Sequence, residues 1–223
     1  MEQKRKGIII AIDGPAGAGK SSVASEVAQK LGYSHLDTGS MYRGATYFLI
    51  KRNIPMEKEN ENQVLDELKK MKIDMIDNRI LINEEDTTPF IRTKEVEKFV
   101  SWVSSLPGVR KILVQKQREI AREGGFVLDG RDIGTQVCPD AELKIFLSAS
   151  PEIRVKRRYL QLKGKAELDF IRKDLKRRDE YDKNRKAGPL QPAEDAIFLD
   201  SSHLTRKQVV EKIVRWAQEV IEN

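Results

Sequence analysis

Eight consecutive residues, Gly14-Pro15-Ala16-Gly17-Ala18-Gly19-Lys20-Ser21, place glycines, a lysine and a hydroxyl at the spacing G-x-x-x-x-G-K-[ST]. Glycines at these positions let the backbone curl so that successive N–H groups converge on phosphate oxygens. A helix starting near Lys20 adds its partial positive end. Lys20 supplies a full charge for β and γ phosphates, and the hydroxyl of Ser21 or of its neighbour Ser22 can reach a magnesium ion. The bland alternative is a glycine-rich turn that happens to contain Gly-Lys-Ser. The context favours the cradle, because a β-branched run, Ile8 to Ile12, precedes it and an amphipathic stretch follows. The pattern predicts binding of a nucleoside triphosphate and leaves the acceptor open among water, a metabolite and a nucleotide.

Three further groups carry chemistry. Asp37-Thr38-Gly39-Ser40-Met41-Tyr42-Arg43 lies where a strand hands over to a helix, the edge at which such folds bind ligands, and Arg43 is placed there to meet an anion. Its plain alternative is a solvated surface arginine. Asp129-Gly130-Arg131-Asp132-Ile133-Gly134-Thr135 follows a second apolar run. There Asp129 could orient magnesium-bound water, Arg131 hold phosphate and Asp132 accept from a base or sugar. Arg178, Asp182 and Arg185 are spaced to share one helical face, as a ligand site or as an exposed ion-pair ladder. The two histidines, His35 and His203, are assigned no catalytic role, and no metal-ligating cluster is evident.

Alternating strands and helices must position these groups. Strands are predicted over Ile8–Ile12, Tyr33–Leu36, 126–128, 143–147 and 196–199. Helices are predicted over Lys20–Leu31 (stopped by Gly32), Ser40–Lys51, Thr93–Ser105 and Val109–Arg122, the last with Pro107 in its first turn. Ser150-Pro151 starts a further helix, and a final one over Arg206–Glu219 sets Val209, Ile213, Trp216 and Val220 on one face, with Val210, Ala217 and Ile221 beside them. Residues 56–95 interrupt the alternation with a charged helix, Glu57 to Lys70, and a β-hairpin of 72–76 and 79–82 turning at Asp77-Asn78. Five short apolar strands separated by helices imply a parallel sheet covered on both faces, one catalytic domain with an inserted subdomain.

The totals exclude other classes. A chain of 223 residues, 39% hydrophobic and 34% charged, suits a soluble globular protein rather than a disordered tail. No run approaches the roughly 20 apolar residues needed to span a bilayer, and the run after Met1–Lys6 is too short for a signal peptide. The single cysteine, Cys138, cannot form an internal disulfide, so a reducing, cytoplasmic setting is expected. A net charge of +6 is compatible with nucleic acid and equally with small anions.

Taken together, the segments resemble the bacterial-type cytidylate kinase family of the nucleoside monophosphate kinases. The matching pieces are Ile12-Asp13-Gly14-Pro15 with the phosphate loop, Leu36 to Arg43, Ile91-Arg92-Thr93, Pro107 to Arg110, Asp129 to Thr135, and Arg178-Asp179 continuing to Asn184-Arg185. The resemblance implies a P-loop kinase fold: a core with a five-stranded parallel sheet, 1–55 and 96–223, that holds ATP. It also implies an inserted monophosphate-binding subdomain near 56–95 and a short lid near 154–169, with Arg157 or Arg158 as lid contacts. By the same resemblance Lys20, Arg131 and a lid arginine act on the transferring group. Residues 14–22 hold ATP and magnesium, and Ser40, Tyr42, Arg43 and Asp129 line the acceptor site. Arg43, Arg131 and Arg185 bind the acceptor phosphate, Arg178 and Asp182 its ribose, and Ser101, Arg110 and Asp132 the cytosine edge. The chain departs from the family in carrying Ser21-Ser22 where Gly-Thr is common, so either hydroxyl can be the magnesium contact. The implied reaction is γ-phosphoryl transfer from ATP to CMP or dCMP by a monomer, with no nucleic acid or membrane partner. The alternatives are a kinase for another small acceptor such as UMP, and an ATP-switched protein that binds nucleic acid through the basic run Lys163–Lys186.

Overall fold

The computed structural model describes residues 6–76 and 79–222, so the turn expected at Asp77-Asn78 and the segment before Lys6 lie outside the described residues. The chain divides into two compact units, one of residues up to His35 and from Ala121 onward, the other Leu36–Ile120.

In the first unit, β1 (Ile9–Asp13) is buried along its whole length, as a continuous Ile/Ala run demands of a strand covered on both faces. It leads through the phosphate loop into α1 (Lys20–Leu31), which Gly32 ends in the left-handed conformation that glycine adopts without a Cβ clash. β2 (Ser34–Asp37) runs into α2 (Thr38–Lys51) at the division between the units.

The second unit continues with α3 (Glu61–Lys69) behind a short 3₁₀ turn at Lys58–Asn60, so the helix begins later than the Glu57 expected. β3 (Ile73–Ile76) and β4 (Arg79–Ile82) pair antiparallel as the alternation predicts, and β5 (Glu85–Asp86), which the sequence did not signal, extends them to three strands. Gly44 lets α2 approach this sheet, since a Cβ there would stand 2.9 Å from the Ile80 side chain. α4 (Lys94–Ser105), capped by the Thr93 side chain, and α5 (Pro107–Ala121) complete the unit.

The first unit resumes with β6 (Phe126–Gly130), β7 (Leu143–Ser148), α6 (Pro151–Gln161), α7 (Leu168–Asn184), β8 (Ile197–Asp200) and α8 (Arg206–Glu222). The main sheet has the order β2-β6-β1-β7-β8, with β1 parallel to both β6 and β7, and β8 parallel to β7. The strand count and parallel arrangement agree with the sequence reading. One face of the sheet buries Ile10, Ile12, Ile145 and Leu147 against Val23 and Val27 of α1 and Val209, Val210, Ile213 and Ala217 of α8. Each such side chain contributes roughly 1.5–3 kcal/mol by leaving water. The buried residues of α8, Val209, Val210, Ile213 and Ala217, all lie on the apolar side expected, while Trp216 is only partly buried and Ile221 is exposed. Among the described residues no helix is long and apolar enough to cross a membrane.

Candidate functional site

The phosphate loop leaves β1 at Gly14, whose φ of 149° and whose approach to the Leu147 carbonyl, 2.0 Å from where a Cβ would lie, admit only glycine. Lys20 opens α1 with its side chain folded back under the loop, 6% exposed, Nζ donating to the Pro15 carbonyl at 2.9 Å. Burial, reinforced by the nearby Arg131 charge, pulls its pKa down to about 7. Its ammonium is therefore held by a neutral carbonyl, which a polyphosphate can outcompete.

Asp13 at the end of β1 accepts from the backbone N–H groups of Ile133 and Gly134, each at 2.8 Å. Burial raises its pKa to about 6 despite those two bonds. The pair of bonds fixes a single π turn, Ile133–Val137, directly after Arg131 and Asp132. Nothing in the spacing of Asp13 within its motif reveals a partner 120 residues away.

Asp129, at the end of β6, is almost fully buried and joins two elements. Its Oδ2 accepts from the Ser21 hydroxyl at 2.7 Å, and its Oδ1 lies 2.7 Å from His35 Nε2. Arg131 Nε donates to Asp182 Oδ2 of α7 at 2.7 Å. Burial opposes the Arg131 charge, but the Asp182 carboxylate more than offsets it and raises the guanidinium pKa above its usual value. Arg185 Nη2 donates to Asp132 Oδ1 at 3.0 Å, with the two side chains only 6% and 7% exposed.

These pairs correct the shared helical face expected for Arg178, Asp182 and Arg185. α7 stops at Asn184, and Arg185 leaves it in extended conformation. Asp182 and Arg185 make their shorter bonds to the loop after β6 and approach each other only at 3.8 Å, while Arg178 pairs along the helix with Asp174 at 2.9 Å. Lys20, Ser21, Asp129, Arg131, Asp132, Asp182 and Arg185 are therefore linked through the first unit at the carboxyl ends of its strands, where open α/β sheets bind ligands.

The two lid arginines differ in placement. Arg157 Nη1 donates to the Ala18 carbonyl at 2.9 Å and to Ser201 Oγ at 3.0 Å, which holds it at the phosphate loop. Burial lowers its pKa. Arg158 donates to Gln161 of its own helix at 2.8 Å. Arg154 and Asp179, which sequence reasoning left without a role, form a buried clamp on the loop. Arg154 Nη1 donates to Asp179 Oδ2 at 2.6 Å and to the Ala16 carbonyl at 3.0 Å, and Asp179 Oδ1 accepts from Ala16 N–H at 3.3 Å.

In the second unit, Asp37 caps α2 by accepting from Ser40 N–H at 2.9 Å and from its hydroxyl at 2.7 Å. Arg43 pairs with Glu97 at 2.7 Å. Arg110, buried on α5, donates to the Ser104 carbonyl at 3.3 Å and lies over the Tyr42 ring, 5.5 Å from its centroid. Ser101 is half-buried on α4, one turn before Ser104. Arg43, Tyr42, Ser101 and Arg110 are thus partly or fully withdrawn from solvent within their own unit.

A sequence profile of cytidylate kinases matches residues 10–219. The chain is 45% identical to a cytidylate kinase of Streptococcus equi subsp. equi over 97% of its own length and 99% of that protein. It is 47% identical to a cytidylate kinase of Carboxydothermus hydrogenoformans, over 92% of this chain and 95% of the other. Among solved structures it is similar to a shikimate kinase from Acinetobacter baumannii in complex with shikimate. That likeness has a TM-score of 0.50 at 17% identity and covers 96% of this chain and 95% of the other, a likeness of fold alone.

Proposed function

This chain belongs to the cytidylate kinase family, and we propose from that premise how its residues move the γ-phosphoryl group of ATP to CMP or dCMP. The observation that carries the reading is the linked set of charges at the strand ends, with Lys20 under the phosphate loop and two Arg–Asp pairs after β6.

A phosphate oxygen of the acceptor is already a competent nucleophile, so the residues' work is positioning and charge stabilisation. Lys20 exchanges the Pro15 carbonyl for phosphate oxygens. Arg157, already at the loop, meets the transferring group as the lid over 154–169 closes and excludes water. Arg43, Arg131 and Arg185 hold the acceptor phosphate, Arg178 and Asp182 its ribose, and Ser101, Arg110 and Asp132 its base; Ser40 and Tyr42 also serve acceptor binding, and 56–95 is the inserted part. The donor set suits magnesium: Ser21 gives its only proton to Asp129, which leaves its lone pairs for a cation. When bound, magnesium would neutralise charge on the β and γ phosphates, held by Ser21, or by Ser22 beside it. The enzyme on this reading is a cytoplasmic monomer that acts on small nucleotides.

Base choice supplies the test. Cytosine presents an amine that donates and a ring nitrogen that accepts, whereas uracil reverses both. Asp132 and the Ser101 hydroxyl can accept and Arg110 can only donate, a set complementary to cytosine. Sites that hydrogen-bond a substrate group reject analogues that leave a buried partner unpaired. Wild type is expected to prefer CMP strongly over UMP in kcat/KM. Ser101→Ala and Asp132→Ala are expected to lower activity with CMP and narrow the ratio. Equal use of UMP by wild type, or a full ratio in both variants, would overturn the assignment.

Lys20 adds a pH dependence. Its pKa of about 7 in the ligand-free protein must rise beside polyphosphate, so ATP binding takes up a proton above pH 7. The sign follows: affinity falls as pH rises from about 7, by up to about tenfold per unit. Calorimetry at pH 8 in buffers of different ionisation enthalpy is expected to report uptake approaching one proton per ATP. A binding enthalpy independent of the buffer would contradict it.

A further inference from the structure

His35 lies on β2, outside every role assigned above, yet its ring nitrogen Nε2 stands 2.7 Å from Asp129 Oδ1. The imidazole and the carboxylate are 8% and 4% exposed. A carboxylate oxygen can only accept, so Nε2 carries the hydrogen of this bond. Asp129 has one further oxygen, and Oδ2 takes the proton of Ser21 at 2.7 Å. The orientation of the carboxylate therefore decides where the Ser21 proton goes. Rotation of the carboxylate about its Cβ–Cγ bond would have to break the His35 bond at Oδ1. His35 thus braces the carboxylate from a neighbouring strand.

From this geometry we infer that His35 is a positioning residue for metal–nucleotide binding: it fixes Asp129 so that the Ser21 hydroxyl keeps its lone pairs turned toward a divalent cation on the bound triphosphate. The inference deepens the function proposed above and rests only on its ATP and magnesium part. Fixing one bond partner of a ligating group is how residues behind a metal site tune affinity, and losing such a partner typically weakens binding 10–100-fold. An isolated buried histidine that merely fills space would have no such effect.

The test compares His35→Leu, which removes the donor, with His35→Gln, whose Nε2 stands the same number of bonds from the backbone and can donate in its place. Titration of Mn2+ with the enzyme in the presence of ATP, followed by electron paramagnetic resonance, reads cation binding without an acceptor. For H35L the Mn2+ affinity is expected to fall at least about tenfold. The magnesium concentration for half-maximal rate rises by a similar factor, and the KM for CMP stays within about twofold. H35Q is expected to recover most of both losses. Ser21→Ala should make the His35 substitutions nearly silent, because the hydroxyl being positioned is gone. Should H35L not fold, H35Q and the Ser21→Ala pair carry the test through the same titration. Unchanged Mn2+ affinity in H35L overturns the inference, as does a loss in H35L undiminished in the Ser21→Ala background. An H35Q variant as defective as a folded H35L also overturns it. A wild type that binds Mn2+ with ATP but does not phosphorylate CMP would overturn the proposed acceptor and leave this inference standing.

Discussion

Lys20→Ala is expected to lose at least about a hundredfold in turnover while remaining folded. The arithmetic is that of one preorganised contact to developing charge, roughly 3 kcal/mol or more. The structure explains why the fold should survive. Burial is the largest influence on this ammonium and works against its charge, and its hydrogen bond goes to the Pro15 carbonyl rather than to a carboxylate. Removing it deletes a desolvated group whose charge the ligand-free protein does little to stabilise. Melting is therefore expected to stay the same or rise slightly, while kcat for CMP phosphorylation and the affinity for ATP both fall. A folded variant with near-normal turnover would remove the phosphate loop from the chemistry.

The contrast between Lys20 and the rest of the site tells how far a sequence can be read. The phosphate loop was legible because its function is local: the residues that curve the backbone, charge it and start the helix are adjacent. The strand pairing of 73–76 with 79–82 was legible for the same reason, and so were Gly32 as a helix stop and Ser150 as a cap, whose side chain accepts from Ile153 N–H. What could not be read was partnership across the fold. Asp132 and Arg185 are 53 positions apart, Arg131 and Asp182 are 51 apart, and Asp13 reaches Ile133 across 120. Spacing on one helix suggested that Arg178, Asp182 and Arg185 answer to each other. The helix ends at Asn184, one residue short of Arg185; Asp182 and Arg185 still meet at 3.8 Å, but both are claimed by shorter bonds to the loop after β6. His35 shows the same limit, because a lone histidine on a strand gives no sign of its neighbours in the sequence.

Those two claimed residues set the second large effect. Had Arg185 stood in a solvated ladder, its removal would change stability by about 0.3–0.5 kcal/mol at most. The structure buries the Arg185–Asp132 pair, and Arg185 Nε also donates to the Gly188 carbonyl. Truncating one partner of a buried pair leaves the other charge uncompensated, typically by about 3–5 kcal/mol. At roughly 2–4 °C per kcal/mol for a chain of this size, Arg185→Ala should lower the melting temperature by about 6–20 °C. Arg178→Ala, whose partner Asp174 is more exposed, should shift it little. Adding Asp132→Ala to Arg185→Ala removes the stranded carboxylate and should return part of the lost stability, a coupling that a double-mutant cycle reads directly. The functional arm is separate: at a temperature where the variant is folded, Arg185→Ala should raise the KM for CMP or lower kcat by at least about tenfold, equivalent to roughly 1.4 kcal/mol. Lost stability with unaltered acceptor kinetics would make the pair a structural brace, and altered kinetics without lost stability would mean that Asp132 finds water once its arginine is gone.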